Sequence, residues 1–186
     1  MVSAHTHLFW ITSRAAGTTA LVLSSVSVGV GLLMGGRLMP GSNPDRRTVH
    51  EVLSLSVMVA LGVHALSLVG DRYLHPSVPD VLVPFVLAYK TGWTTLGILA
   101  GWGTVLLGLS YYVRRRIGLT RWKVIHRFTL LAWGAGLVHS LGEGTDAGQT
   151  WFLALVALTA APAAVALVMR VIGARAPSSQ APLTNS

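Results

Sequence analysis

Residues 49–69 read VHEVLSLSVMVALGVHALSLV: twenty-one positions with one fixed charge, Glu51, and a histidine near each end. About 20 mostly apolar residues suffice to cross a bilayer as a helix, and no proline interrupts this run. Four further stretches have the same character, at about 9–34, 93–113, 122–141 and 150–171. The chain therefore reads as an all-α integral membrane helix bundle of about five spans. Composition agrees, since 52% of the 186 residues are hydrophobic and only 11% charged, with a mean hydropathy of +0.62. A soluble domain carries about 25% charged residues. The absence of Cys excludes disulfides, thiolate zinc sites, iron–sulfur clusters and covalently attached c-type haem.

Lys and Arg placement predicts the direction of threading. Arg37, Arg46 and Arg47 follow span one. Arg114, Arg115, Arg116, Arg121, Lys123 and Arg127 lie between span three and the start of span four, and Arg170 and Arg175 close span five. Only Arg14, Arg72 and Lys90 fall on the other side, together with Asp71, Asp80, Glu143 and Asp146. The expectation is an N-terminus outside and a C-terminus in the cytoplasm, in a multi-pass protein of the cell (plasma) membrane. Trp10, Trp93, Trp122 and Trp151 sit at span ends, where an aromatic belt belongs. Residues 1–175 are read as one bundle and the Pro/Ser-rich 176–186 as a disordered cytoplasmic tail. The short apolar segment 81–88, flanked by Pro79 and Pro84, reads as re-entrant or interfacial. Span one reads as retained rather than cleaved, because MVSAHTHLFW lacks a basic leader. The basic loops are too short to build a nucleic-acid-binding face, so no nucleic acid is expected as a partner, only membrane lipid.

Ionisable groups inside a bilayer are functional candidates by default. Span two carries His50 and His64, and span four carries His126 and His139. With one span between them these two helices run parallel, so His50 faces His126 at the cytoplasmic depth and His64 faces His139 at the outer depth. Fourteen residues of helix rise about 21 Å and thirteen about 20 Å, so the two pairs fit at matched heights. Two neutral imidazoles from facing helices are what a non-covalent b-type haem requires, one on each side of the iron. The angular register fits less well. At about 100° per residue, His64 returns to within about 40° of His50, but His139 points about 140° away from His126. Span four is therefore expected to be over- or underwound, or kinked, with Gly134 and Gly136 as the soft points.

The two segments HEVLSLSVMVALGVH (50–64) and HRFTLLAWGAGLVH (126–139), with the approach RRRIGLTRWKVIH and the ITSRAAG of span one, resemble the ferric reductase-like transmembrane domain. That family includes NADPH oxidases, ferric reductases and the haem-binding subunit serving a periplasmic methionine sulfoxide reductase. The resemblance covers about residues 9–145. It implies two b-type haems carrying electrons across the membrane, with iron held by His50 and His126 at the inner site and by His64 and His139 at the outer one. It also implies that Arg14 lies near the outer haem, pairing with a propionate or an anionic ligand. Arg46, Arg47, Arg121, Lys123 and Arg127 are the inner counterparts. Position 68, where NADPH oxidases place a further histidine, is Leu, so a dedicated superoxide-forming site is not expected.

The leading reading is thus a di-haem cytochrome moving electrons from a cytoplasmic flavoprotein reductase or a quinol to an extracytoplasmic acceptor. It would be the electron-transfer part of an oxidoreductase without a flavin or nicotinamide domain of its own, since no dinucleotide fingerprint follows span five. Two rivals stay open. One is a quinol-oxidising cytochrome b subunit of a larger complex. The other is a non-redox bundle using histidine for protons or metal. Trp133 reads as helix packing or as a ring between the haems. Gly97 and Gly101 read as close packing or as room for a flat group. His5, His7, His75, Tyr89 and Lys90 carry weak signals of metal or acceptor binding.

Overall fold

The computed structural model describes residues 5–36, 39–72 and 74–175, which are helical with no strand. The tail 176–186 and Arg37 lie outside the described residues, as do the side chains of His5 and Arg175. Eight helices follow in order: α1 His5–Gly35, α2 Asn43–Val69, α3 Val78–Leu82, α4 Thr91–Leu109, α5 Arg114–Ile117, α6 Leu119–His126, α7 Thr129–Glu143 and α8 Thr150–Arg175. Four are long and apolar enough to cross a membrane: His7–Gly35 within α1, then α2, α4, and Thr150–Ile172 within α8.

Two boundaries move from their sequence positions for local reasons. Helix α2 starts at Asn43, well before Val49, because Ser42 caps it. The Ser42 Oγ accepts from the Asp45 N–H at 3.3 Å, and Pro44 occupies the first turn, where its missing N–H does no harm. Arg46 and Arg47 thereby stand on a helix rather than in a loop. The expected span 122–141 is divided. Helix α6 stops at His126 and α7 begins at Thr129, so α7 alone, at 15 residues, rises only about 22 Å.

The backbone at this junction tightens rather than opens. Arg127 N bonds Val124 O at 3.2 Å, Phe128 N bonds Ile125 O at 3.0 Å, Leu130 N bonds Arg127 O at 3.1 Å and Leu131 N bonds Phe128 O at 3.0 Å. These are three-residue steps, and Thr129 Oγ1 takes the His126 carbonyl at 2.7 Å, a bond of the kind that bends helices. Each residue wound this way adds about 0.5 Å of rise and about 20° of turn over α values. Four such residues lengthen the His126–His139 interval to about 21 Å and cut its angular error to about 60°. The distortion expected of span four exists, but at 127–128 rather than at Gly134 or Gly136.

Helix α1 packs along α2 and also touches α8 and α7, while α4 packs along α7. The histidine-bearing helices α2 and α7 have almost no direct contact and stand apart, each braced by a different neighbour. Trp133 of α7 is buried against Ala160 and Ala163 of α8, and its indole N–H donates to Ser25 Oγ of α1 at 3.1 Å. It therefore serves helix packing. The segment 81–88 folds back beside α4: Leu82 O accepts from the Trp102 indole at 2.9 Å and Phe85 N–H donates to Thr95 Oγ1 at 3.0 Å. Trp102 lies eleven residues into α4, about 16 Å along that helix from its start. Replacing Trp133 by Ala should lower stability in detergent by about 3 kcal/mol or more through the cavity it leaves. Trp133→Phe should lose only the Ser25 bond, about 0.6 kcal/mol. Thermal melts of the two variants check this, and equal effects would mean that the ring does not pack as described.

Candidate functional site

His50 of α2 and His126, the last residue of α6, come together: their ring centres are 6.3 Å apart with planes at 88°. His64 of α2 and His139 of α7 lie within electrostatic range of each other.

Each ring is held from the side by the helix that braces its own. His64 Nδ1 lies 2.8 Å from the Ser13 carbonyl and 3.0 Å from Ser13 Oγ of α1. His139 Nδ1 lies 2.9 Å from the Trp93 carbonyl at the start of α4. A carbonyl only accepts, so each Nδ1 must carry the proton and each Nε2 keeps its lone pair. That is the tautomer a metal-ligating histidine uses. At the other depth, His50 Nδ1 is 3.4 Å from Ser27 Oγ, which also faces Ser54 Oγ at 3.1 Å. The Leu107 backbone lies beside His126, but His126 Nδ1 is buried without a hydrogen bond of ordinary geometry. His126 stacks instead on Trp122, with ring centres 5.0 Å apart and planes at 25°.

The flanking helices leave room for these rings where they lack side chains. A Cβ on Gly17 would sit 3.0 Å from His64 Nδ1, one on Gly31 would sit 3.2 Å from His50 Cε1, and one on Gly97 would sit 2.6 Å from His139. Reading the histidines alone misses this second layer, yet its signal is in the sequence. Span one contains Ser13-x-x-x-Gly17 and Ser27-x-x-x-Gly31, repeated at fourteen residues, the same interval as His50 to His64. Trp93 and Leu107 on α4 are also fourteen apart. Small residues four apart let two helices approach closely, and here the element that enters the space is an imidazole.

Arg14 projects beside this arrangement rather than into it. Its Nε donates to Asp146 Oδ2 at 3.0 Å, its NH2 group also reaches that oxygen, and its guanidinium covers the Trp10 ring at 4.2 Å. The pair borders a cavity of about 370 Å³ lined by Ile11, Ala15, Thr18 and Trp151. Arg14 therefore ties the α7–α8 loop to α1. Lys90 does similar work, with Nζ 3.3 Å from the Gly142 carbonyl and 3.4 Å from that of Glu143. At the start of α2 Arg46 bonds Met39 O at 2.5 Å and Asn43 Oδ1 at 2.6 Å. Arg47, Arg121, Lys123 and Arg127 are exposed. His75 lies in the connection between α2 and α3, with φ +44°.

Among the described residues no group of three or more His, Asp or Glu converges as a bare metal ion would need. No family model, curated protein or solved structure matches the chain. The glycine geometry can be checked directly. Gly97→Ala should destabilise by about 1–3 kcal/mol through overpacking against His139. Gly101→Ala, whose Cβ meets nothing within 4 Å, should be neutral or stabilising by up to about 1 kcal/mol. Thermal unfolding of both in one detergent reads the contrast, and an equal response would remove the close approach of His139 to α4.

Proposed function

We propose that this chain is the membrane part of an electron-transferring oxidoreductase, ferric reductase-like in kind, holding two b-type haems between α2 and the α6–α7 unit. His50 and His126 would ligate the inner haem and His64 and His139 the outer one. Electrons would pass from a cytoplasmic flavoprotein reductase or membrane quinol to an acceptor outside, across five spans of the plasma membrane with the N-terminus outside. The α6–α7 unit, residues 119–143, would make the fourth crossing.

The observation that carries the reading is the 6.3 Å between the His50 and His126 ring centres. Two imidazoles sharing one iron, with metal–nitrogen bonds of about 2 Å on each side, need ring centres about 6 Å apart. The donor chemistry agrees, since a porphyrin supplies four nitrogens and two histidines complete the set, whereas a bare ion needs a third protein ligand. The separation of α2 from α7 and the carbonyl-fixed tautomers of His64 and His139 support it further. When bound, haem supplies a one-electron iron couple at each depth. The chain's own residues orient the imidazoles, exclude water and hold the two sites about 21 Å apart along α2. With a negative interior, outward transfer of one electron across the whole field releases about 2.3 kcal/mol per 100 mV.

A reduced-minus-oxidised spectrum with haem quantitation tests this. Wild type should bind about two haems, with His64→Ala and His126→Ala each losing one site. A colourless protein, or full haem in both variants, would refute the assignment and leave a bundle that uses histidine for protons or metal.

A further inference from the structure

Helix α4 ends at Leu109, and the chain passes through α5 and α6 before α7 begins at Thr129. That connection is strongly basic. Arg114, Arg115, Arg116, Arg121, Lys123 and Arg127 lie in it, and no Asp or Glu occurs anywhere between Asp80 and Glu143. Arg114 is occupied, bonding the Tyr111 carbonyl at 2.6 Å and covering the Tyr111 ring at 3.7 Å. The other five are exposed, and among the described residues their side chains have no ion-pair or hydrogen-bond partner. Glu51 of α2 is already taken by the Tyr112 hydroxyl at 2.7 Å. Leu119, Val124, Ile125 and Phe128 are exposed among these cations. Gly118, with φ +91°, makes the turn that sets α5 against α6.

We propose that the α5–α6 connection is a binding site for an anionic phospholipid, whose phosphate rests on Arg121 and the neighbouring cations and whose acyl chains run along Val124, Ile125 and Phe128. The chemistry of the surface selects this occupant. Cations without partners call for an anion, and a guanidinium offers a phosphate two parallel N–H donors. Exposed apolar side chains beside them call for an apolar surface as well, which a free phosphate does not supply. Clusters of Lys and Arg directly beside a spanning helix attract anionic lipid, and α4 is long and apolar enough to be such a helix. The order along α6 fits too. At about 100° per residue, Arg121, Val124 and Ile125 lie within about 100° of one another, with the cation first and the apolar residues following toward α7. A lipid presents its charge and then its chains in that order. An acidic protein docked on the charges would leave the apolar residues next to α7 uncovered. Trp122 and His126, four residues apart, stack together on another side of α6. The lipid site does not depend on haem.

Titration of the full chain in a neutral detergent with phosphatidylglycerol, and in parallel with phosphatidylcholine of the same acyl chains, tests the proposal. The readouts are the melting temperature and the lipid retained in native mass spectrometry. Phosphatidylglycerol should be retained and should raise the melting temperature in a saturable way that high salt weakens. Phosphatidylcholine and inorganic phosphate should do much less. Arg121→Gln and Lys123→Gln should each weaken phosphatidylglycerol binding about fivefold. Their melts without lipid should match wild type, because neither side chain has a partner to lose. Arg47→Gln, an exposed cation on α2, should leave binding at the wild-type level. The proposal is overturned if the two lipids act alike, if inorganic phosphate stabilises as well as lipid, or if Arg47→Gln costs as much as Arg121→Gln. It is also overturned if the Gln variants melt lower without lipid. Capture of polyglutamate with no retention of phosphatidylglycerol would assign the surface to an acidic protein and overturn it equally. A haem-free wild type that still retains phosphatidylglycerol would refute the proposed function alone, so the two failures are distinguishable.

Discussion

An imidazole buried in lipid must satisfy a ring N–H, and in this bundle the helix beside it supplies the acceptor. Ser13 on α1 does so for His64 and Trp93 on α4 does so for His139. This constraint organises the molecule. It fixes which nitrogen carries the proton, which way the lone pair points, and how closely α1 must lie along α2 and α4 along α7. The glycines at 17, 31 and 97 follow from it, because a methyl group at any of them would meet the ring. Two braced hairpins result, α1 with α2 and α4 with α7, and α2 has almost no direct contact with α7.

At the His50/His126 end, helix α6 stops at His126, and Trp122 stacks on that ring in a cluster with Tyr111 and Arg114. The interruption and the cluster belong together. Helix α6 is only eight residues long and lays Trp122 against His126, and α7 begins anew at Thr129. The same tightened backbone brings thirteen residues of α6–α7 to the length that fourteen residues of α2 span. One local distortion thus corrects both the depth and the direction of His139.

Much of this was legible beforehand. Hydropathy located α1, α2, α4 and α8, because lipid admits only long apolar segments with every backbone group bonded internally. The meeting of His50 with His126 followed from the order of the spans, and the misfit of thirteen residues with 3.6 per turn already required span four to be distorted. The site of that distortion was not readable. Gly134 and Gly136 were the obvious soft points, whereas the helix yields where Thr129 competes for the His126 carbonyl. The helical start at Asn43 was overlooked for a similar reason: a capping serine outweighs the charge of Arg46 and Arg47.

By itself the sequence determined that the chain is apolar, cysteine-free and helical, and that it carries two histidines in each of two apolar stretches. Those are properties of composition and period, which survive without knowledge of neighbours. Only the tertiary structure decided what each ring leans on. It also decided that Arg14 is engaged by Asp146, and that Trp133 packs between helices while Trp122 lies against a ligand candidate. Those outcomes depend on which residues from distant spans meet at one height. That is set by the packing of whole helices, through contacts that join positions more than a hundred residues apart.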